Sequence, residues 1–395
     1  MKKDQLKVEI VNRYFYPVTA GIETVLIETY SILAKKGWDI TIHTSKNTLS
    51  EKNVLSDSAQ INGLKIKRYP FNKLTFIPKP DWKKIDILTL YNFDVLPHLL
   101  LLLYILGFKI SGKKNFKLFL VPASGFNPNW ALFPILARTI KKLYHYTLGT
   151  VLINNVVDGV LAISKWEKSE MIKKGVSPKL IKIIGLGVEK EATINVDKVV
   201  SKASKLLVGK IGDYIIQVAR IDPIKNFETV IKALPLLPEK LKFIIVGPVQ
   251  NPAYRQELED LIKKLHLSSR VFLLGAVSAK DKFYLIKHAK MMVHMSSHEG
   301  YCIAVLEGLS QGLVCIVANN TALPYLVKDK INGYSIETKD YKLLAEKINY
   351  VFDNLDSKEI KKIQQNNRQT FGKQTYGKIS EELFKYYSNV IGNQL

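Results

Sequence analysis

Residues 290–308 read Lys290-Met291-Met292-Val293-His294-Met295-Ser296-Ser297-His298-Glu299-Gly300-Tyr301-Cys302-Ile303-Ala304-Val305-Leu306-Glu307-Gly308. An apolar run gives way to a polar loop holding one glycine, and then to an apolar stretch that continues as a helix. Strand, glycine loop and helix make half of a βαβ unit. The loop leaves the first-turn N–H groups of the helix free beyond the strand's carboxyl end, a natural place for an anion. The same order recurs on either side. Tyr214–Val218 reads as a strand, Pro223 opens a helix, and Phe227, Val230, Ile231 and Leu234 mark its buried face. Lys242–Val246 is a strand ending at Gly247-Pro248, and Leu258, Leu261, Ile262 and Leu265 form a helical stripe. Val271–Leu274, Lys290–Met295 and Leu313–Val317 complete the sheet; helical patterns at Tyr341–Phe352, Ser357–Thr370 and Ile379–Val390 follow.

The first half alternates in the same way. Lys7–Asn12, Trp38–Thr44, Leu64–Tyr69, Ile85–Tyr91, Phe116–Val121 and Val157–Ile163 read as strands. Strands separated by helices predict α/β architecture: two Rossmann-like doubly wound parallel-sheet domains facing a cleft. The segment from Leu186 to Gly212 loses the periodicity and reads as a linker.

The chain has 395 residues, 47% apolar and 24% charged, enough for two full-sized cores. Its 58 Lys+Arg against 35 Asp+Glu give a net charge of +23, which points to a polyanion, an anionic surface or a phosphorylated substrate. Cys302 and Cys315 are the only cysteines, too few for a disulfide framework or a multi-thiolate metal site. No apolar signal core precedes Lys7, and Leu99–Leu106 is shorter than the ~20 residues of a spanning helix, so a cytoplasmic or peripheral protein is expected. Between Asp94 and Asp158 there is no acidic residue, while Lys109, Lys113, Lys114, Lys117, Arg138, Lys141 and Lys142 lie beside Leu99–Leu103, Phe126, Trp130 and Phe133. That mixture fits an interfacial membrane surface and equally fits a core helix with a lysine-rich exterior.

Two constellations carry chemistry. Glu299 and Glu307, eight residues apart, lie too far along one helix to act on a single atom, but suit the two ends of an elongated ligand. Glu307 follows four apolar residues, a context in which an unpaired carboxylate is expensive. Arg220 and Lys225 directly follow the Tyr214–Val218 strand, where two cations suit a diphosphate; an Arg220–Asp222 surface pair is the plain alternative.

These segments resemble the GT-B fold glycosyltransferases, specifically the retaining family 4 (glycosyl transferases group 1), over nearly the whole chain and most strongly over residues 214–336. The family's E-x7-E motif is matched by Glu299 and Glu307, and its Arg and Lys five residues apart by Arg220 and Lys225. Tyr16–Glu23 is similar to its P-x-x-G-G loop, with Gly21 kept and Ala20 in place of one glycine. Phe243–Pro248, Val271–Val277 and Asn332-Gly333-Tyr334 also read like its landmarks.

The resemblance implies a nucleotide-diphosphate sugar as donor and a glycan or lipid-linked acceptor. Glu307 would hold ribose hydroxyls, Glu299 the transferred hexose, and Gly300, Tyr301, Cys302 and Ile303 the diphosphate. Arg220 and Lys225 would neutralise the leaving group, and Gly275 and Val277 would present backbone groups to the base. It implies an acceptor domain over 1–190, a donor domain over 191–375, and a C-terminal helix, 376–395, packed back on the first domain. No D-x-D occurs, so neither cofactor nor metal is expected in the site. Three departures stand out: Cys302 replaces a glycine, Asn319–Tyr325 replaces G-G-x-x-E, and Pro122–Phe126 lacks the family's first-domain histidine. His98, the nearest substitute, reads as a helix residue, and Gly185-Leu186-Gly187 lacks the third glycine of a dinucleotide loop. A nucleotide-sugar epimerase and a basic nucleic-acid-binding protein are the alternatives. The first needs an acid/base set that is not evident, and the second lacks a recognition motif.

Overall fold

The computed structural model describes residues 5–392 except 19–20, 49–50, 73–74, 94–95, 124, 126–127 and 131–132. Asp94, Phe126 and part of the Tyr16–Glu23 loop therefore lie outside the described residues. The chain divides into two compact units: Met1–Leu186 with Tyr376–Leu395, and Gly187–Thr375.

In the first unit, strands β1 (Lys7–Val11), β2 (Asp39–Ser45), β3 (Ser58–Ile61), β4 (Leu64–Tyr69), β5 (Ile87–Tyr91), β6 (Lys117–Val121), β7 (Gly159–Ala162) and β8 (Ile181–Ile183) form one sheet. Their order is β3-β4-β2-β1-β5-β6-β7-β8, parallel except for the antiparallel β3–β4 edge. Central strands such as β5 are buried along their whole length, as a sheet covered on both faces requires. Covering helices are α1 (Gly21–Lys35), α2 (His98–Ile110), α3 (Ile135–Tyr146), α4 (Leu148–Val156) and α5 (Lys165–Lys173).

The second unit contains β9 (Tyr214–Val218), β10 (Lys242–Val246), β11 (Val271–Leu273), β12 (Met291–His294), β13 (Cys315–Ala318) and β14 (Gly333–Ile336), ordered β11-β10-β9-β12-β13-β14 and all parallel. Its helices are α6 (Lys202–Ile211), α7 (Phe227–Ala233), α8 (Pro252–Lys264), α9 (Ala279–His288), α10 (Ile303–Ser310), α11 (Leu323–Leu326), α12 (Tyr341–Asp353) and α13 (Lys358–Phe371). The expected linker is thus corrected at its second half, which is the helix α6, capped by Ser201 Oγ on Ser204 N–H at 3.2 Å. The strand order reverses between β9 and β12, and ligands of such sheets bind beyond the carboxyl ends at that switch. Gly247, after β10, has φ +149°, and a Cβ there would sit 2.0 Å from the Ala219 carbonyl oxygen, so only glycine lets these two loops meet.

The last helix, α14 (Tyr376–Gly392), belongs to the first unit. Ser380 Oγ donates to the Thr29 carbonyl at 2.9 Å, and Tyr387 shares a hydroxyl bond with Thr89 at 3.0 Å. Trp38 stacks on Phe384 with ring centroids 5.2 Å apart. α2 resolves the Leu99–Leu106 run into two faces: Leu101, Leu102 and Ile105 are buried, whereas Leu100, Leu103 and Tyr104 are exposed. His98 is a buried first-turn residue of this helix. Among the described residues, no helix is long and apolar enough to cross a membrane.

Candidate functional site

The switch between β9 and β12 is where the second unit's charge collects. After β9, Asp222 Oδ1 accepts from Ile224 N–H at 3.0 Å and starts a 3-10 turn, Pro223–Lys225. Asn226 then takes a left-handed conformation, φ +52°, and its Nδ2 donates to the Met295 carbonyl at 3.0 Å. The Ile224 carbonyl accepts from Ser296 Oγ at 3.0 Å and from Ser297 N–H at 2.8 Å. Two loops are thereby laced together, and the lacing sets the position of Lys225.

Lys225 Nζ lies 2.7 Å from Glu299 Oε1, and His294 Nε2 lies 2.8 Å from the same oxygen. The Glu299 side chain is 11% exposed. Burial works against its charge, but the Lys225 ammonium and the His294 hydrogen bond outweigh that and hold the carboxyl well below the usual carboxylate range. Thr321 Oγ1 accepts from Glu299 N–H at 2.9 Å, and Asn320 Nδ2 donates to the Ser296 carbonyl at 2.9 Å. The Asn319–Tyr325 segment, a departure from the family pattern, therefore buttresses the Glu299 loop.

Glu307, in α10, joins a second cluster. Its Oε1 lies 2.6 Å from Lys282 Nζ, which also reaches Glu189 at 3.4 Å. Burial pushes the proton affinity of Glu307 up despite Lys282. For Lys282, burial opposes the charge, yet Glu307 and Glu189 together raise its pKa. Arg220 is half-buried and donates to the side-chain carbonyl of Gln250, not to Asp222. Gly300 is buried, Tyr301 OH accepts from Gln374 Nε2 at 2.6 Å, and Ile303 opens α10, whose first turn has no side-chain cap.

Cys302 is buried with φ +79° and ψ +80°, so a side chain occupies backbone space that glycine enters freely. A negative φ there would have relieved the narrowing that a Cβ imposes; the structure has the positive one. Gly275 also has positive φ, +69°, with open space beside it, and its carbonyl accepts from Gly247 N–H at 2.8 Å. Val277 is half-buried nearby in sequence. Gly21 lies in the other unit, exposed at the start of α1.

Sequence reasoning thus named Glu299, Lys225 and Cys302, which the fold brings together, and placed Glu307 apart from them. It missed His294, Lys282, Glu189, Gln250 and Thr321. His294 carried a signal, being the one polar residue in an otherwise apolar strand. Lys282 carried none, since a lysine in an amphipathic helix usually faces water. Among the described residues, His294, Glu299 and Cys302 are the group whose side-chain donors cluster closely enough to hold a metal ion.

The matches to known proteins bear on this site. Residues 203–370 match the family model for glycosyl transferases group 1. An uncharacterized glycosyltransferase of Methanocaldococcus jannaschii is 25% identical over 98% of this chain and 99% of its own length. A UDP-Gal:alpha-D-GlcNAc-diphosphoundecaprenol alpha-1,3-galactosyltransferase of Escherichia coli is 24% identical over 86% of this chain and 87% of its own. The crystal structure of Anabaena HepE with UDP and glucose superposes with a TM-score of 0.74 and 17% identity, covering 97% of this chain and 100% of that one. The architecture is the GT-B fold, and residues 203–370 are similar in sequence to the glycosyl transferases group 1.

Proposed function

We propose that the chain is a retaining hexosyltransferase of family 4, moving a sugar from a nucleotide-diphosphate donor to a glycan or lipid-linked acceptor. The observation that carries the reading is the pairing of Lys225 with Glu299 at the β9–β12 switch, beside the uncapped first turn of α10. Departure of a nucleoside diphosphate puts negative charge on the leaving oxygens, and cations already in place lower that barrier without reorganising. Lys225 is held by two loops, and Arg220 stands at the same strand end. In this reading the α10 N–H groups meet the diphosphate, Glu299 a sugar hydroxyl, Glu307 the ribose, and Gly275 and Val277 the base. The cations supply the charge that a divalent ion supplies elsewhere, so the reaction takes no metal.

A thermal-shift screen of nucleotide sugars tests the donor assignment, since a ligand at about 100 times its Kd stabilises by about 2.7 kcal/mol. Stabilisation by one nucleotide sugar, followed by proton NMR showing an unchanged anomeric configuration in the product, is the expected outcome. A flat screen, or an inverted product, would defeat the reading.

The same proposal places the first unit at an anionic membrane surface. α3 turns Leu136, Ile140 and Leu143, spaced as one helical face, toward solvent with 73%, 54% and 65% exposure. Its flank carries Lys141 and Lys142. Such a face fits the interface of headgroups and acyl chains, worth about 25 cal/mol per Å² of apolar area covered. An apolar cavity of about 390 Å³ lined by Phe76, Ile77, Trp82, Leu100 and Tyr104 in this unit suits the hydrocarbon part of a lipid-linked acceptor. The cations of α2 and β6 contribute less than their number implies. Lys114 and Lys117 pair with Asp158, and Lys109 donates to the Asn155 carbonyl. L136E/I140E should release the protein from phosphatidylglycerol vesicles in sedimentation without lowering its melting temperature. Equal sedimentation of the variant would remove α3 from the contact.

A further inference from the structure

We propose that His294, Glu299 and Cys302 form a binding site for a thiophilic divalent cation, zinc or cadmium. A ring nitrogen, a carboxylate oxygen and the Cys302 Sγ all lie within 4.8 Å of one another. Imidazole, carboxylate and thiolate are the donor types that zinc takes in tetrahedral sites. They come from a span of nine residues, H-x4-E-x2-C, that runs from the end of β12 through the loop to the residue preceding α10. A tetrahedral zinc site spaces its donors about 3.3–3.6 Å apart. An ion therefore needs the 2.8 Å His294–Glu299 hydrogen bond to open slightly and the thiol to close in on both.

Three independent features converge on this point. Cys302 keeps a side chain at φ +79°, where glycine is unstrained, and the thiol is delivered inward toward His294 and Glu299 rather than to solvent. His294 is 1% exposed, yet its Nδ1 has no hydrogen-bond partner, so the ring is held on one side only. Glu299 Oε1 already draws two donors to one point, the Lys225 ammonium and the His294 ring. A bound ion would take over the position Lys225 holds at that oxygen, with three protein donors and a fourth place open to water. Binding exchanges the thiol proton for the metal–sulfur bond and releases that proton; His294 coordinates as the neutral imidazole.

The metal binding does not depend on the glycosyltransfer reading. One consequence does: if this is the donor site, the ion blocks the nucleotide sugar and acts as an inhibitor, not a cofactor.

The experiment is an ultraviolet titration of metal-free protein with cadmium, following the thiolate-to-cadmium charge-transfer band, with zinc competing against a chromophoric chelator. One ion per chain is expected, with the band abolished in Cys302→Gly and kept in Cys315→Ala. Cys315 is the internal control, a thiol buried in β13 whose sulfur donates to the Val305 and Leu313 carbonyls, each at 3.9 Å. Glycine relieves the positive φ at position 302, so that variant should fold, and circular dichroism verifies it. His294→Gln gives a second test and should weaken zinc by about 10–100-fold or more, since even an outer-shell partner is worth that much. No band in the wild type, or a band that survives Cys302→Gly, would overturn the site. A wild-type band with no zinc inhibition of sugar transfer would leave the metal site standing and remove only its overlap with the donor.

Discussion

Glu299 and Glu307 come from one short segment, each is paired with a lysine at hydrogen-bond distance, and the two carboxyls are pushed in opposite directions. Glu299 faces two donors on one oxygen, Lys225 and His294. Glu307 is 3% exposed and shares the cation it pairs with, Lys282, with Glu189. The ratio of donors to acceptors therefore sets the sign: two donors on one carboxylate favour its charge, one cation between two carboxylates does not offset burial. A carboxylate that is firmly ionised and fixed is ready to orient a hydroxyl. One whose charge burial disfavours inside a helix can exchange its lysine for a ligand hydroxyl at less cost.

Removing the cation on each side breaks the comparison most sharply. Lys225→Met takes positive charge from the reaction site while His294 still holds Glu299, so folding should survive and chemistry should not. A loss of about 10²–10³-fold in kcat is expected, the value of one preorganised charge-stabilising group. Steady-state rates at saturating donor check it, and a change confined to KM would reassign Lys225 to ground-state binding. Lys282→Met should do the reverse. It leaves two acidic groups together without a cation and should cost about 2–3 kcal/mol of stability, below the fully buried range because Lys282 keeps 17% exposure. Urea unfolding reads that loss, and an unchanged midpoint would mean that Glu307 and Glu189 simply take up protons.

Glu307→Gln sharpens the same contrast at smaller scale. Lys282 retains Glu189, and glutamine keeps the shape, so the melting temperature should hold while donor Kd, measured by calorimetry, rises about 10-fold, the worth of one charge-assisted hydrogen bond. Unchanged affinity would take Glu307 out of the site.

The contrast also marks what sequence can and cannot carry. Tyr214–Val218 and Lys242–Val246 are strands over the residues expected, because buried parallel strands read as unbroken apolar runs. α6 read as linker because its apolar face is short: Leu207, Val208 and Ile211 turn to the core with Ser204 at the head of the stripe, while Leu206 lies off it at 65% exposure. β3, an edge strand with alternating exposure, and the short β8 and β14 gave too little signal to see. In the site, Glu299, Lys225 and Cys302 were legible because a loop between strand and helix confines them. His294, Lys282 and Glu189 reach their partners across 5, 25 and 93 residues of chain, and the longer two separations are facts of packing that no local pattern encodes.

The helix that carries Lys282 offers the finest test. Ser278 Oγ accepts from Asp281 N–H at 3.2 Å and donates to Asp281 Oδ2 at 2.6 Å, while Asp281 Oδ1 accepts from Ser201 N–H at 3.0 Å. Burial is the largest single influence and raises the Asp281 pKa, but the hydrogen bonds together outweigh it and bring the pKa to about 2, against 3.8 ordinarily. A carboxyl depressed on folding stabilises the protein fully above its unfolded pKa and loses that contribution as pH falls through the folded one. Stability from Asp281 should therefore decline between about pH 4 and pH 2, by less than about 1 kcal/mol once solvent screening is allowed for. Asp281→Asn should flatten that part of the urea midpoint against pH curve and leave the rest unchanged. Because α9 places Lys282 one residue further on, the variant should also loosen Lys282 from Glu307 and shift donor affinity slightly. A donor Kd that moves as much as in Glu307→Gln would show that the cap, not the carboxylate, governs the second cluster.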